Sequence, residues 1–305
     1  MILCDYSHIL QSIKRCVSST LSYFAPPFNQ TSARLKKQLF IIASLILAST
    51  VLSAQDAPGA RATGLGGSAV VLDDVWSGFH NQAGLVNLQG FAAGVFYENR
   101  FSLNELATRG AIVALPYGNN AFSLSYKSFG YSAFSSSRAS LGYALKMSDK
   151  FSGGVQINYH AIRIGENYGS QQTFSFEGGF QYKMTTKLTL GGHIYNPTRA
   201  KIADFNDERI ASILRIGAGY KFSDKLQLLG EVRKASDADA GIRLGIEYRP
   251  VEQIALRGGF GSEPSMYSFG FGWILKTFQV DAAVGFHQVL GFTPQLSLTY
   301  NVVKK

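Results

Sequence analysis

From about residue 91 onward, segment after segment of this chain alternates apolar and polar side chains with a period of two. In FSGGVQINYHAIRI, Val155, Ile157, Tyr159 and Ala161 fall on one face, and Gln156, Asn158 and His160 on the other. AGIRLGIEYR sets Ile242, Leu244, Ile246 and Tyr248 against Arg243 and Glu247, and SMYSFGFGWI sets Tyr267, Phe269, Phe271 and Trp273 against Ser268, Gly270 and Gly272. Successive side chains of a strand point to opposite faces. The pattern therefore dictates antiparallel β structure with one apolar face and one polar, glycine-containing face. Helix-period segments are nearly absent.

Alternation alone does not say which face meets water, since a soluble sandwich shows it too. Strand length and number bear on the choice. Strands are expected near 91–98, 107–117, 121–128, 137–146, 151–163, 172–183, 187–196, 210–222, 225–233, 240–249, 253–260, 266–275, 278–287 and 293–302. Most run about nine residues or more, enough to cross a bilayer at a tilt, whereas strands of globular domains peak at about five or six. Expected connections also alternate between tight turns (118–120, 148–150, 185–187, 223–225, 250–253, 275–277) and longer loops (99–106, 129–136, 164–171, 197–209, 234–239, 261–265, 288–292). That asymmetry is the layout of an outer-membrane barrel.

Aromatic residues repeat with the turns. Tyr117, Tyr143, Tyr182, Tyr220, Tyr248 and Trp273 all lie on the apolar face just before a short turn. Folded, they would ring one end of a cylinder, joined by Phe122, Phe151, Phe278 and Tyr300. Rings with a polar tip favour the boundary between hydrocarbon and headgroups. The expectation is an all-β, transmembrane antiparallel β-barrel of about 14 strands with outer-membrane lipid against its apolar face. An even strand count places both termini on the periplasmic side of the cell outer membrane.

The first 54 residues read differently. ARLKKQLFIIASLILASTVLSA has a basic start, an apolar run and small residues ending at Ala54, the layout of a secretory signal peptide. Residues 1–54 are therefore expected to be an upstream extension plus a removed leader, and 91–305 the barrel. Both cysteines, Cys4 and Cys16, fall in the leader, which excludes disulfides and thiolate chemistry from the mature chain. Removing five of the 29 Lys and Arg residues and one of the 20 Asp and Glu residues leaves a net charge of +5. These charges are interleaved in sign along an exported chain, so nucleic acid is not expected as a partner.

With lipid outside, the enclosed face holds His160, Glu177, His193, Arg215, Glu231, Arg243, Glu247, Arg257, Asp281 and His287, along with Lys127, Arg138, Arg233 and Arg249. The dense part, Arg215–Glu231–Arg243–Glu247–Arg257, mixes signs on four neighbouring strands and is expected to be a ladder of cross-strand pairs bracing the wall. A barrel of this size has room for a channel or a plug.

Residues 55–90 supply a plug candidate. Asp73 or Asp74 is expected to cap a short helix carrying Trp76 and Phe79, ended by Asn81 to Gly84. The pattern Ala60-Arg61-Ala62, Gly64, Gly66-Gly67, Asp73/Asp74, then Asn81, Ala83, Gly84-Leu85 resembles the start of the long-chain fatty-acid transporter (FadL) family, and equally the related PorV/PorQ barrels of type IX secretion. The resemblance implies an N-terminal hatch inside a fourteen-stranded barrel, with Gly64, Gly66, Gly67, Asp74 and Trp76 in the hatch and Asn81, Ala83 and Gly84 at its turn. Gln82 stands where the family usually has proline.

Enzyme chemistry finds no support. His287 and Asp281 share a face but lie about 20 Å apart along it, and His160 and His193 sit on non-adjacent strands with no carboxylate in register. No histidine spacing fits a metal site, and Gly64 to Gly67 lacks the β-α-β context of a phosphate loop. No catalytic residue, metal or cofactor is expected. The expected function, as the resemblance implies, is passive transport of a hydrophobic or amphiphilic small molecule. Glycine pairs Gly191-Gly192 and Gly258-Gly259 are candidate wall kinks for it. The alternative is an accessory barrel of a type IX-like secretion system, holding a secreted or secretion-system protein on loops 197–209 and 129–136.

Overall fold

The computed structural model describes residues 57–165, 169–202 and 209–302. The expected leader at 1–54, the start of the hatch, residues 203–208 of the contact loop at 197–209 and the last three residues lie outside them.

Fourteen strands form one closed antiparallel barrel: β1 (Ala92–Asn99), β2 (Ala107–Tyr117), β3 (Asn120–Gly130), β4 (Phe134–Lys146), β5 (Phe151–Ile164), β6 (Ser170–Lys183), β7 (Leu188–Tyr195), β8 (Ile213–Ser223), β9 (Leu226–Ala235), β10 (Ala240–Val251), β11 (Ile254–Ser262), β12 (Ser265–Ile274), β13 (Phe278–His287) and β14 (Gly291–Asn301). Each pairs with its sequence neighbour, and β1 closes on β14 from Ala92↔Asn301 to Glu98↔Gln295. Closure pairs the backbone polar groups between strands and leaves no sheet edge, the condition for crossing hydrocarbon with strands. No helix among the described residues is long and apolar enough to cross a membrane.

The period of two fixes what faces where. Leu244 is 51% exposed and Phe269 67%, whereas Arg243 is 4% and Glu247 3%. Phe174, Phe176, Ile216, Ile242 and Phe271 likewise stand outside the wall. Charge thus faces inward and hydrocarbon outward, the reverse of a soluble domain and the arrangement lipid requires.

The aromatic residues sit where the turns put them. Tyr117, Tyr143, Tyr220, Tyr248 and Trp273 are exposed on the outer face, with Tyr182 at its margin, all at the end carrying the tight turns. Phe122 packs on Tyr143 and Phe278 on Tyr300, with ring centroids 5.3 and 5.2 Å apart. The other end is plainer than expected. The links 131–133, 263–264 and 288–290 are short because β3, β4, β11, β12 and β14 run on into the expected loops. In β4 the added residues are Phe134 to Ser136, serine-rich and without alternation, so the sequence pattern gave no sign of strand there.

Residues 57–90 lie inside the barrel. They form a helical turn α1 (Ala60–Gly64), a second α2 (Ser77–His80) and a 3-10 helix, Gln82–Asn87. Here the structure corrects the expected helix. Trp76 is the N-cap of a four-residue α2, and Asp74 Oδ1 accepts from the Trp76 amide at 3.0 Å. Asn81 is extended and starts the 3-10 helix, its Oδ1 accepting from the Ala83 amide at 3.3 Å. Asn81 thus ends α2, as expected, and opens the next helix, because a side chain that bonds its own backbone two residues on breaks one helix and caps another.

Candidate functional site

The segment 57–90 meets the wall in three chemically different ways. Toward β8–β13 it meets charge. Glu231 on β9 takes a two-pronged contact from Arg215, 2.6 Å from Nε to Oε1 and 2.8 Å from Nη2 to Oε2. The same Oε2 accepts from the amides of Ala69 and Val70 at 3.0 and 3.1 Å. Arg215 and Arg243 donate to the Gly67 carbonyl at 3.3 and 3.1 Å. A second chain runs Asp74–Arg61–Glu247–Arg257–Asp281. Arg61 Nε and Nη2 lie 2.9 and 3.0 Å from the two Glu247 oxygens, Arg61 Nη1 is 3.0 Å from Asp74, and Arg257 is 2.7 Å from both Glu247 and Asp281. Arg249 adds a contact to Glu247 at 2.8 Å. The expected ladder therefore exists, but it braces more than the wall: half of its partners belong to the enclosed segment.

Burial pushes the Asp74 carboxyl above the ordinary range; Arg61 works against the shift and Asp73 adds to it. Asp73 itself points into the open.

Toward β5–β7 and β14 the contacts are hydrogen bonds, uncharged apart from Lys183 Nζ donating to Asn87 Oδ1 at 2.6 Å. Asn81 Nδ2 donates to the carbonyls of Val70 and Phe180 at 2.7 and 3.0 Å. Gln181 Nε2 donates to Leu72 O at 2.9 Å, Ser152 Oγ to Ala83 O at 2.9 Å, and Trp76 Nε1 to Thr299 Oγ1 at 3.2 Å. Thr63 bonds Gln295, and the Ala60 amide donates to Ser297 Oγ at 3.1 Å.

Toward β1–β4 the contact is mainly apolar, with Arg138 of β4 over the Phe79 ring, 5.8 Å from its centroid. Trp76, Phe79 and Phe96 stack and tee with centroids 5.8 to 6.4 Å apart. Val75, Leu85, Ile112, Ala114, Ala121 and Ala144 complete this buried cluster.

Inward glycines let backbone meet backbone. A methyl at Gly259 would lie 2.0 Å from Gly66 N, one at Gly270 3.1 Å from Gly64 Cα, and one at Gly245 2.7 Å from Leu65 O. Gly154, Gly179 and Gly191 stand equally close to Ala83 N, Asn81 Oδ1 and Val70 O. Gly66 also has φ +67° and Gly67 φ +76°, a region open to glycine at low cost. Gly84 packs on Leu72 O and Ser77. This overturns the expected wall kinks. Ladder pairing runs unbroken through Gly191-Gly192 and Gly258-Gly259. Gly191 and Gly259 are small because the segment lies against them.

The histidines are spread. His193 Nε2 is 3.1 Å from Glu177 Oε2, so a carboxylate does stand beside it, diagonally across β6 and β7 rather than in register. Glu177 is also bonded by Gln156 and by Asn158 Nδ2 at 3.1 Å. His160 Nε2 is 2.8 Å from Ser175 Oγ on the neighbouring strand, and both are buried in the wall. His287 only partly lines the lumen; its Nδ1 accepts from Val289 N and Leu290 N at 3.2 Å and so shapes the β13–β14 turn. Among the described residues no cluster of three His, Asp or Glu side chains is placed to hold a metal.

Arg61 is the functional residue the sequence reading passed over, quoted there only as part of a pattern. It is the single Lys or Arg in 55–90, amid small residues, facing a lumen that carries Glu247. A lone buried charge needs a partner, and that was the available signal.

No protein-family model matches this chain, and no curated protein matches it. Solved structures do match in fold. The Ralstonia pickettii toluene transporter TbuX superposes with a TM-score of 0.64 at 12% identity, covering 81% of this chain and 99% of that one. The CymD monoaromatic hydrocarbon channel gives 0.63 at 13% identity, over 81% and 98%. A Pseudomonas aeruginosa FadL homologue gives 0.56 at 14% identity, over 80% and 98%. At these identities the likeness is one of fold: this chain is similar to fourteen-stranded hydrocarbon-transporter barrels along nearly the whole of their length.

Proposed function

We propose that this protein is an outer-membrane barrel through which hydrophobic or amphiphilic small molecules cross passively, with both termini in the periplasm. The observation that carries the reading is the uneven seating of the enclosed segment. Its β8–β13 side is pinned by buried ion pairs, while its β1–β4 side rests on Trp76, Phe79, Phe96 and Ile112, with Arg138 over the Phe79 ring. An apolar solute lowers its free energy by entering such a seam, and parting it breaks ring and apolar contacts rather than buried ion pairs. The structures this fold superposes on are named as toluene transporters, a monoaromatic hydrocarbon channel and a FadL homologue. They give the secretion-accessory alternative no support, and none of them is named as an enzyme.

The test is uptake of radiolabelled toluene and of a long-chain fatty acid by cells carrying the protein, against cells lacking it. Phe79→Arg, which puts a charge in the seam, is expected to cut uptake several-fold while the barrel keeps its heat-modifiable mobility on gels. Uptake indifferent to both the protein and this change would overturn the reading.

A further inference from the structure

Three consecutive charged turns repeat one pattern. LKMSDKF, YKMTTKL and YKFSDKL, at 145–151, 182–188 and 220–226, each carry two lysines four residues apart. They join β4 to β5, β6 to β7 and β8 to β9. The next tight turn, YRPVEQI at 248–254, opens with Arg249 in the place of the first lysine.

The ladder brings these residues together across neighbouring hairpins. Phe151 lies opposite Tyr182, Leu188 opposite Tyr220, and Leu226 opposite Tyr248. One step nearer the rim, the amides of Lys183, Lys221 and Arg249 donate to the carbonyls of Lys150, Lys187 and Lys225, at 2.7, 2.9 and 2.7 Å. Three couples of like charge therefore stand along one arc of the rim. Like charges placed directly opposite one another repel.

Little in the chain offsets that repulsion. The side chains of Lys150, Lys187, Lys221 and Lys225 are exposed, with no hydrogen bond or ion pair among the described residues. Lys183 Nζ donates to Asn87 Oδ1 at 2.6 Å, and Arg249 Nη2 lies 2.8 Å from Glu247 Oε1. Of the acids in these turns, Asp149 serves Lys146 at 2.9 Å, while Asp224 and Glu252 stand exposed. With Lys146 included, seven basic residues meet three acidic ones there.

Direction and spacing narrow the choice of partner. Tyr182, Tyr220 and Tyr248 point outward, so Lys183, Lys221 and Arg249, one residue on, fall on the inner face. The contacts of Lys183 with Asn87 and of Arg249 with Glu247 agree with that phase. The tyrosines meet lipid, and the basic couples border the mouth. Successive couples are two strands apart, about 10 Å. An extended chain advances about 3.3 Å per residue, so acidic side chains three residues apart match successive couples.

We propose that this arc docks an acidic segment of another protein, laid extended across the turns of β4–β10. Its carboxylates offset the repulsion within the couples. The surface is separate from the apolar seam.

The experiment measures binding of a fluorescent peptide of four Asp-Ser-Gly repeats to the purified protein in phosphatidylcholine nanodiscs, by anisotropy. The same peptide with asparagine for aspartate is the blank. Only the aspartate peptide is expected to bind, less tightly as salt is raised. Lys187→Gln, Lys221→Gln and Lys225→Gln together should raise its Kd about tenfold, since three exposed contacts are lost at once. Arg109→Gln, Arg163→Gln and Lys234→Gln remove equal charge toward the opposite end and should leave Kd unchanged. Heat-modifiability checks that each barrel is folded. No binding of the aspartate peptide, equal binding of the blank, or equal weakening by both triple variants overturns the proposal. So does loss of binding when phosphatidylglycerol replaces part of the phosphatidylcholine, because lipid headgroups would then occupy the lysines. None of these outcomes bears on hydrocarbon uptake.

Discussion

At the scale of single residues, Glu231 and Asp74 look alike and are expected to behave differently. Both are carboxylates bonded to an arginine at the rim of the same segment. Glu231 accepts four hydrogen bonds, two from Arg215 and two from the Ala69 and Val70 amides, and is wholly enclosed. Its removal leaves Arg215 buried with no counter-charge and two amides unbonded. Breaking a buried pair in this way costs about 3–5 kcal/mol. Asp74 is partly exposed, and burial lifts its pKa while docked. A carboxyl whose docked value exceeds its free value contributes fully to docking below the free value, and that contribution is lost as pH rises through the docked one. The contribution of Asp74 therefore weakens as pH rises. Glu231→Ala should release 57–90 to protease while the barrel stays folded, whereas Asp74→Asn should change its protection by no more than about 1 kcal/mol. Equal effects from the two would show that charge alone, and not bond count and burial, decides docking. The sequence displayed Glu231 as a lumen charge, but its partners Ala69 and Val70 stand some 160 residues away in the chain. No local pattern announces a backbone amide as a ligand.

At the scale of elements, strand and hatch were legible to different degrees. Fourteen stretches of alternation fix strands well, because a side chain on the wrong face would put charge into lipid; β2 and β13 fall where the period puts them. The enclosed segment has no period, and its shape is imposed by the wall. That is why α1 went unforeseen and α2 was read too long. The same logic separates adjacent glycines. Gly259 faces inward, where a methyl would strike Gly66 N, while Gly258 faces lipid, with Ile246 at ordinary contact distance. Gly259→Ala is expected to shift or undock the turn at Gly66, seen as protease cleavage within 57–90. Gly258→Ala should leave the cleavage pattern and barrel stability unchanged, or improve the latter slightly by stiffening the unfolded chain. If both glycines tolerated alanine, backbone contact would not be what seats the segment. If both failed, their smallness would serve wall curvature instead.

At the scale of the whole molecule the open matter is which end faces the cell exterior, and the two ends differ in physical terms. One carries Tyr117, Tyr143, Tyr220, Tyr248 and Trp273 above tight turns, together with both ends of the barrel sequence, since β1 begins beside the end of β14. The other carries the less regular connections, among them 100–106, and the row of Lys127 and Arg138. Residues 57–90 enter the lumen from the first end, where Gly90 packs on Val302. A chain threaded across an inner membrane arrives in the periplasm with both termini there, and an even number of strands keeps them on that side. The tight-turn end should therefore be periplasmic. Because both cysteines fall in the expected leader, single cysteines introduced into the barrel are unambiguous reporters. With intact cells and a membrane-impermeant maleimide, Val289→Cys, in the exposed β13–β14 turn, should label readily. Asn119→Cys, in the turn after Tyr117, should label only once the outer membrane is permeabilised. The opposite pattern would invert the barrel, placing the basic row at the periplasmic mouth and the aromatic ring outside. In that orientation uptake from the exterior would have to begin at the tight-turn end, where residues 57–90 enter the lumen beside Val302.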